Sequence, residues 1–202
     1  MIRPLLERDA DLDPLRMFQA WFEAARETGM ELPEAVALAT STLDGAPSAR
    51  MVLLKGADER GLVFFTSYLS RKSRELEANP RAALLFHWQP LGRQVRVEGP
   101  VERCSREETE RYVRSRPRGS QISALASPQS EAVESREWLE SRVAELAVRY
   151  ADAEPPVPEH WGGYRLTPLE WEFWQHREDR LHDRLRYRQA NGGGWSIERL
   201  AP

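Results

Sequence analysis

The C-terminal segment, residues 161–202, concentrates the side chains best suited to chemistry. Three short motifs follow one another there: Trp161-Gly-Gly-Tyr-Arg165, Glu172-Phe-Trp-Gln175 and Arg180-Leu-His-Asp-Arg184. Indole rings, guanidinium groups and an imidazole suit a flat anionic cofactor and a small charged substrate. The structural alternative is a tryptophan-rich edge of the core with solvated charges, and this segment alone does not separate the two.

The third motif places a histidine between two arginines. Along an extended strand, Arg180, His182 and Arg184 would point to the same side. That arrangement predicts a site where an imidazole and two guanidinium groups face one small ligand. The alternative is a hairpin in which Asp183 pairs with neighbouring arginines.

Two further segments have the composition of anion sites. Ser70-Arg-Lys72 stands at a predicted helix start, where backbone N–H groups, the helix dipole and two cations favour a phosphate. Tyr112, Arg116 and Ser120 are spaced by four residues, so a helix running into a turn would bring them to one face. Taken singly, each segment fits a solvated helix end at least as well. If both are functional, the second group would form a cup for a second phosphate.

Other polar side chains lie on or beside predicted strands. Arg50 and Lys55 flank an apolar run, and residues five apart on a strand point to opposite faces unless a bulge intervenes. The alternative for this pair is two strand-end charges in water. Gln94 lies on a strand and Gln129-Ser130 at another predicted helix start. Amides of this kind can address the polar edge of a heterocycle.

Sequence periodicity predicts the elements that position these residues. Asp13 is expected to cap a helix that ends near Gly29, and Ser105-Arg-Glu-Glu108 is a capping box for a helix towards Arg116. Two more helices are predicted at 71–79 and 130–151, and strands at 35–42, 49–55, 61–66, 82–88, 94–102, 163–167, 171–176, 184–189 and 195–200. Adjacent strands without regular helical crossovers favour an antiparallel barrel with peripheral helices. We expect one domain over 13–202, after a flexible N-terminal arm over 1–12.

Composition narrows the class of protein. Lys plus Arg number 29 and Asp plus Glu number 32, and the net charge of -3 argues against a general binder of nucleic acid or anionic membranes. The single cysteine, Cys104, cannot form an intramolecular disulfide and fits a reducing compartment. With neither an apolar run long enough for a membrane span nor a signal-peptide core, a cytoplasmic protein is expected. The histidines lack metal-ligand spacing, so no metal is expected.

Taken together, the motifs resemble the pyridoxamine 5′-phosphate oxidase family from about residue 30 to Pro202. The matching segments, in chain order, are Arg50-Met-Val-Leu-Leu-Lys55, Phe64-Phe-Thr-Ser-Tyr-Leu-Ser-Arg-Lys72, Arg93-Gln-Val-Arg-Val-Glu-Gly99, Ser115-Arg-Pro-Arg-Gly-Ser-Gln-Ile122, Gln129-Ser130, Trp161-Gly-Gly-Tyr-Arg165, Glu172-Phe-Trp-Gln175, Arg180-Leu-His-Asp-Arg184 and Arg199-Leu-Ala-Pro202. Three positions depart from the family pattern: Leu32, Leu125 and His176.

The resemblance implies a fold, a cofactor and a set of site residues. The fold would be mainly β with peripheral helices, an antiparallel split β-barrel of Greek-key type that forms a homodimer with FMN at the subunit interface. The implied FMN contacts are Arg50, Lys55, Phe65, Thr66, Arg71, Lys72, Gln94, Gln129, Ser130, Trp174 and Arg184. The implied contacts to the phosphate of a vitamin B6 substrate are Lys55, Tyr112, Arg116 and Ser120. Arg180 and His182 would be the catalytic pair, against the pyridine ring near the reacting carbon.

The implied reaction is oxidation of pyridoxamine 5′-phosphate or pyridoxine 5′-phosphate to pyridoxal 5′-phosphate, with O2 as electron acceptor and H2O2 as product. His182 is expected to position the substrate, although an imidazole between two arginines could also accept a proton. Three alternatives stay open at the level of sequence. They are a related flavin oxidase acting on another ring system, such as a phenazine-biosynthesis relative, a non-catalytic flavin- or pyridoxal phosphate-binding protein, and a split barrel that uses a deazaflavin.

Overall fold

The computed structural model describes residues 4–190 and 192–202 of the chain. Its helices are α1 (Pro14–Glu27), α2 (Arg71–Ala78), α3 (Arg106–Ser115), α4 (Arg118–Ala126) and α5 (Arg136–Arg149). Its strands are β1 (Ala35–Ser41), β2 (Pro47–Asp58), β3 (Gly61–Ser67), β4 (Arg81–Trp88), β5 (Arg93–Arg103), β6 (Trp161–Leu166), β7 (Glu170–Gln175), β8 (Asp183–Gln189) and β9 (Trp195–Arg199).

The strands form one antiparallel sheet that closes on itself. The order is β4-β1-β2-β3-β6-β5-β7-β8-β9, and an additional β4–β5 pairing closes six of the strands into a barrel. Strand β5 pairs with β4 and β7 over its first part and with β6 over Val101–Arg103. Gly99 lies where β5 changes partners, and a Cβ there would stand 1.9 Å from the carbonyl oxygen of Thr167. The expected mainly β, antiparallel barrel is confirmed.

The core fills the barrel and is covered by α1. Alternate residues of β1, among them Val36 and Leu38, are fully buried, as strand periodicity requires. Phe18 of α1 packs against Phe86 and Trp171, with ring centroids 5.0 and 5.5 Å apart. This packing fixes the strands from which the polar site residues project.

Local capping confirms two of the predicted helix starts. The Asp13 side chain accepts a hydrogen bond of 2.9 Å from the backbone N–H of Leu15. Ser105 and Glu108 form both halves of the predicted capping box. These contacts satisfy backbone donors that would otherwise lack partners at the first turn of a helix.

Two helix predictions were wrong. The helix predicted at 130–151 begins only at Arg136, because Ser135 rather than Ser130 accepts the capping hydrogen bond, from Trp138. Ser130 lies in a turn with φ of +74°, so Gln129-Ser130 is not a helix start. The second error concerns Ser120, which belongs to a separate helix, α4. Pro117 ends α3 because proline disfavours a helical residue before it, and Arg116 is accordingly extended.

The N-terminal residues that the structure describes contact the end of the chain. Leu5 is buried, and its N–H donates to Asp183 Oδ2 at 3.1 Å. Arg199 of β9 bonds the Glu7 carboxylate at 2.7 Å and the Leu5 carbonyl at 2.8 Å. The flexibility expected for the arm over 1–12 stays a prediction, and residues 1–3 and Asn191 of the predicted last turn lie outside the described residues.

The described ranges contain neither a membrane-spanning helix nor a metal-binding cluster. None of the helices found there combines the length and the apolar character that crossing a membrane requires. Nor do the same ranges hold a cluster of three or more His, Cys, Asp or Glu side chains placed to bind a metal ion.

Candidate active site

A buried lysine at the start of α2 forms the first site. Lys72 is only 8% exposed, and its ammonium group donates to Thr66 at 3.0 Å, to Ser70 at 3.2 Å and to Gln129 Oε1 at 2.8 Å. We call these four residues the Lys72 cradle. All three acceptors are neutral, and no carboxylate among the described residues forms an ion pair with Lys72. Buried ammonium groups normally have a charged partner, so an anionic ligand would complement the cradle.

The electrostatics of the cradle point to the same conclusion. Burial, reinforced by the neighbouring Arg50 guanidinium, lowers the pKa of Lys72 to about 8. A bound anion would reverse this effect, because an opposite charge within a few ångströms favours the ammonium form. The ammonium group is therefore held ready for a negatively charged ligand.

A single buried carboxylate organises the two arginines beside the cradle. Glu75 is 5% exposed and accepts hydrogen bonds from Arg50 at 3.2 Å and from Arg71 at 2.9 Å. Thr40 and Ser48 donate to the same carboxylate. Three cations, Arg50, Arg71 and Lys72, therefore lie in a region with one carboxylate, which pairs with the two arginines. The surplus of two positive charges matches a phosphate monoester, which carries about −1.5 to −2 at neutral pH.

Replacing Glu75 should destabilise the protein and alter its response to acid. Burial raises the pKa of this carboxyl, but hydrogen bonds from Ser48, Thr40, Arg71 and Arg50 outweigh it and lower the pKa to about 2. Because the folded-state pKa lies below the usual value of 4.5, the stabilisation is complete above about pH 4.5 and is lost towards about pH 2. Glu75→Gln should cost about 3 kcal/mol near pH 7, since it removes the charge that the part-buried Arg50 and the two hydroxyl donors stabilise.

The measurement is urea unfolding of wild type and Glu75→Gln between pH about 7 and about 2. The difference between the two should shrink through the lower half of this range. Glu145→Gln is the matched control, because this carboxylate on α5 is 63% exposed and should change little. An equal difference at all pH values would contradict the assigned role of Glu75.

A stack of aromatic rings forms the second site. Phe65 and Tyr112 lie face to face with centroids 3.9 Å apart, and Trp161 lies nearly parallel to both at 6.3 and 6.1 Å. The Arg116 guanidinium carbon lies 4.6 Å from the Trp161 ring centroid, and its Nη1 is buried without a hydrogen-bond partner among the described residues. A buried donor without a partner is costly unless a ligand accepts from it. Burial also raises the pKa of Tyr112, which therefore remains a hydroxyl donor at neutral pH.

Lys55 reaches a cavity beside this stack. It is the extra residue of a β-bulge between Leu54 and Gly56, and the cavity, of about 410 Å³, is lined by Lys55, Phe65 and Tyr112 among others. Arg50 points instead towards Glu75 on the inner face of β2. The two cations therefore point in different directions within one chain, as their spacing predicts.

A buried ion-pair network fixes the helix that carries Tyr112. Arg165 of β6 is 6% exposed and binds Glu108 at 2.8 Å and Asp58 at 3.1 Å. Glu108 is also the capping-box residue of α3, so Arg165 ties the first turn of α3 to the end of β2. This role of Arg165 could not be predicted from sequence spacing, because its partners are 57 and 107 residues away along the chain.

A third group lies on the far part of the sheet. Gln94, Trp174 and Arg184 are register partners across β5, β7 and β8, and we call them the Gln94 row. Arg184 bonds Glu172 at 2.7 Å, and the Trp174 ring lies 4.6 Å from the His182 ring. Among the described residues, no hydrogen bond, ion pair or ring contact joins this row to the Lys72 cradle or the aromatic stack.

Arg180 and His182 do not lie on one strand, so the predicted alternation with Arg184 was wrong. Strand β8 begins only at Asp183, and Arg180 lies in a tight turn where Asp179 and Arg180 have φ of +55° and +60°. His182 Nδ1 accepts a hydrogen bond of 3.1 Å from the backbone N–H of Arg177, which leaves Nε2 as the nitrogen available to a ligand. The Arg180 side chain is exposed at the tip of the turn.

The hairpin alternative is realised in part at the same turn. Asp183 pairs with Arg199 at 2.8 Å and with Arg177 at 3.7 Å. His176, which departs from the family pattern, lies 5.2 Å from the His182 ring. The turn is therefore stabilised by both ion pairs and ring contacts.

Two serines that the resemblance placed in the site lack side-chain hydrogen bonds to the other described residues. Ser120 is half-buried on α4 and Ser130 is exposed in its turn, and neither side chain forms a hydrogen bond among the described residues. Conversely, Glu75, which pairs with Arg50 and Arg71 beside the cradle, was not selected from the sequence. The spacing of Arg71 and Glu75, four residues apart on α2, is the signal that could have indicated the pair.

Comparison with known proteins places this geometry in a family. Residues 22–150 match the family model described as pyridoxamine 5′-phosphate oxidase, and residues 161–202 match the pyridoxine 5′-phosphate oxidase C-terminal dimerisation region. A curated relative from Rubrobacter xylanophilus, named pyridoxine/pyridoxamine 5′-phosphate oxidase, is 59% identical over 198 residues, which cover 98% of this chain and 91% of the relative.

Two solved structures are similar over nearly the whole chain. PhzG from Burkholderia lata, solved in complex with tetrahydrophenazine-1-carboxylic acid, superposes with a TM-score of 0.92 at 33% identity, covering 100% of this chain and 99% of PhzG. A pyridoxamine 5′-phosphate oxidase-related, FMN binding protein from Nostoc punctiforme has a TM-score of 0.75 at 16% identity, covering 96% and 100%, and shares the fold. On the two family models and the 59% identical relative, the chain belongs to the pyridoxamine 5′-phosphate oxidase family.

Proposed function

We propose that the protein is an FMN-dependent oxidase that converts pyridoxamine 5′-phosphate or pyridoxine 5′-phosphate to pyridoxal 5′-phosphate. The observation that carries this proposal is the pair of anion sites along β3. Thr66 belongs to the Lys72 cradle and Phe65 to the aromatic stack beside Arg116. An oxidase that binds a phosphorylated cofactor and a phosphorylated substrate needs two such sites close together.

The cradle suits the phosphate of FMN. Lys72, Arg71, Arg50 and Thr66 would bind the phosphate oxygens, with the surplus of positive charge described above as the physical reason. The other proposed FMN contacts are Lys55, Phe65, Gln94, Gln129, Ser130, Trp174 and Arg184. Membership in the family and the likeness to an FMN binding protein support flavin as the cofactor.

The second site suits the phosphate of the substrate. Arg116 with its unpartnered Nη1, the Tyr112 hydroxyl and the Lys55 ammonium would bind the phosphate, together with Ser120. Arg180 would orient the pyridine ring and stabilise developing charge. His182 would position the substrate through Nε2, because its Nδ1 is engaged by the backbone.

We further propose a homodimer that completes the site. The Gln94 row is isolated from the two anion sites within the described part of one chain, so a second copy would have to bring the groups together. Met51 and Leu53 are 62% and 37% exposed on the outer face of β2, on the same side as Lys55, and give that face apolar surface to bury. The C-terminal dimerisation region matched by residues 161–202 contains Trp174, Arg180, His182 and Arg184.

Bound FMN would supply the redox chemistry, a two-electron oxidation at the substrate C4′ with O2 reduced to H2O2. The amine substrate would also consume water and release ammonia. The residues of this chain would bind, orient and exclude water. Phe65 and Trp174 offer flat apolar faces, while the cations fix both phosphates, so that the reacting atoms are held in a productive geometry.

A related flavin oxidase acting on a phenazine-type ring is the second candidate, favoured by the TM-score of 0.92 with PhzG. The two candidate functions differ in whether the substrate carries a phosphate that Arg116 could bind. Tetrahydrophenazine-1-carboxylic acid has no phosphate, whereas the buried, unpartnered Nη1 of Arg116 is a donor suited to one. The vitamin B6 phosphates are therefore the preferred substrates.

The test is to purify the protein, record its visible spectrum and supply each candidate substrate in air. We expect a yellow protein that consumes O2 and forms pyridoxal 5′-phosphate from both pyridoxine 5′-phosphate and pyridoxamine 5′-phosphate. A yellow protein inactive with both would contradict the proposal and favour a non-catalytic binder. Preference for a reduced phenazine carboxylate would favour the second candidate. Binding of a deazaflavin but not of FMN would exclude FMN as the cofactor.

A further inference from the structure

Arg116 is held by an aromatic face rather than by a carboxylate. Its guanidinium carbon lies 4.6 Å from the Trp161 centroid and 6.0 Å from that of Tyr112. Among the described residues, Arg116 forms no ion pair, and its Nη1 is buried without a partner. Its backbone carbonyl accepts from Gln121 Nε2 at 2.9 Å, which fixes the main chain but leaves the guanidinium donors unused.

We propose that Trp161 is a positioning residue that holds Arg116 for the substrate phosphate and thereby sets the preference for phosphorylated substrates. The inference rests on the proposed function, because it takes the ligand of Arg116 to be that phosphate. Trp161 would contribute through Arg116 and not through contact with the reacting atoms.

The chemistry of the contact explains why an indole is suited to this role. A carboxylate partner would hold the guanidinium equally well but would neutralise its charge and occupy its N–H donors. An aromatic face attracts the cation through the ring quadrupole and leaves the in-plane N–H groups available. Arg116 therefore keeps both its charge and its donors for a phosphate.

The packing around Trp161 keeps the indole in place. The side chain is 8% exposed at the first residue of β6 and belongs to a cluster with Val113 and Ala124. At Gly163, two residues further along the strand, a Cβ would stand 2.8 Å from the Phe65 ring, so glycine allows that ring to approach. Phe65 and Trp161 are thus placed from β3 and β6, and Val113 of α3 packs against the indole that Arg116 contacts.

The test compares Trp161→Leu, Trp161→Phe and Arg116→Ala in the FMN-loaded protein. Trp161→Leu should raise the KM for pyridoxine 5′-phosphate roughly 5- to 30-fold, the factor expected for a desolvated cation–π contact. The kcat and the FMN content should stay close to wild type. Trp161→Phe keeps an aromatic face and should recover part of the affinity. Activity with unphosphorylated pyridoxine at high concentration should not change.

The double variant Trp161→Leu/Arg116→Ala separates positioning from general packing. If Trp161 acts through Arg116, the double variant should have the KM of Arg116→Ala alone. Additive effects, or equal losses for pyridoxine and its phosphate, would overturn the inference. Trp138→Leu on α5 is the matched control for removing an indole and should leave all values unchanged. If Trp161→Leu does not fold, Trp161→Phe carries the same comparison.

A binding measurement keeps the two proposals distinguishable. The dissociation constant of pyridoxal 5′-phosphate is measured with the same variants, whether or not the protein oxidises any substrate. Loss of affinity in Trp161→Leu that disappears in the Arg116→Ala background supports the inference even if wild type shows no oxidase activity. Unchanged affinity in Trp161→Leu, or no binding by wild type, overturns it.

Discussion

The affinity of the FMN-free protein for FMN should fall by up to about tenfold for each pH unit above about 8. Lys72 has a pKa of about 8 before the ligand binds, because burial and Arg50 disfavour its charged form. The phosphate dianion raises this pKa, so above about pH 8 binding must be accompanied by proton uptake. Below that pH the lysine is already charged, and the affinity should be nearly constant.

The sign of the effect is fixed by the neutral surroundings of Lys72. Thr66, Ser70 and Gln129 can accept hydrogen bonds from the ammonium group but do not compensate its charge. Because the folded-state pKa lies below the usual value of 10.5, the unfolded chain binds more protons between about pH 8 and 10.5. The stability of the FMN-free protein should gain from Lys72 as the pH rises through that range, while its affinity for FMN falls.

Flavin fluorescence quenching between pH about 7 and about 9.5 measures this dependence. Lys72→Arg should flatten the profile, since a guanidinium stays charged, and Lys72→Gln should bind FMN roughly 10- to 100-fold more weakly near pH 7. Riboflavin lacks the phosphate and serves as the control ligand, because its affinity should not depend on pH in this range. A flat wild-type profile for FMN would contradict the placement of the phosphate in the cradle.

The second large effect is expected at Arg116. Arg116→Ala should raise the KM for pyridoxine 5′-phosphate by about 100-fold, because one charge-assisted contact to a phosphate contributes about 1.5–3 kcal/mol. Its Nη1 is buried and unpartnered, so the variant removes a donor that no other group in the described structure uses. The kcat should change much less, since the contact exists in both the bound substrate and the transition state.

The FMN content of Arg116→Ala decides how this result is interpreted. We expect it to equal that of wild type, because Arg116 contacts the aromatic stack and not the Lys72 cradle. Arg116→Lys should recover little, since an ammonium group lacks the planar fork that binds phosphate oxygens in pairs. Loss of FMN in Arg116→Ala would mean that the cofactor and substrate phosphates are assigned to the wrong sites.

Much of the fold follows from local signals that the sequence contains. Strand alternation, the Asp13 cap and the capping box at Ser105 were sufficient to predict the barrel and the starts of α1 and α3. The start of α5 was wrong because Ser130 and Ser135 are both suitable N-cap residues, and only the three-dimensional context selects Ser135. The order of the motifs along the chain was sufficient to predict the family, because the matching segments follow one another in the family's order.

The geometry of the candidate site depends on contacts that sequence spacing does not reveal. Gln129 reaches Lys72 across 57 residues, and Trp161 reaches Arg116 from another strand. The turn at Arg180 was assigned to a strand because it has two successive positive φ angles without a glycine to indicate them. Which groups a second copy would add to the site is likewise not encoded in local pattern.

The most direct measurement of the central claim is the anaerobic half-reaction of the FMN-loaded protein. Pyridoxine 5′-phosphate added without O2 should bleach the visible flavin absorbance and form one equivalent of pyridoxal 5′-phosphate per flavin. Admission of O2 should restore the absorbance and yield H2O2. Flavin that stays oxidised in the presence of saturating pyridoxine 5′-phosphate and pyridoxamine 5′-phosphate would contradict the account.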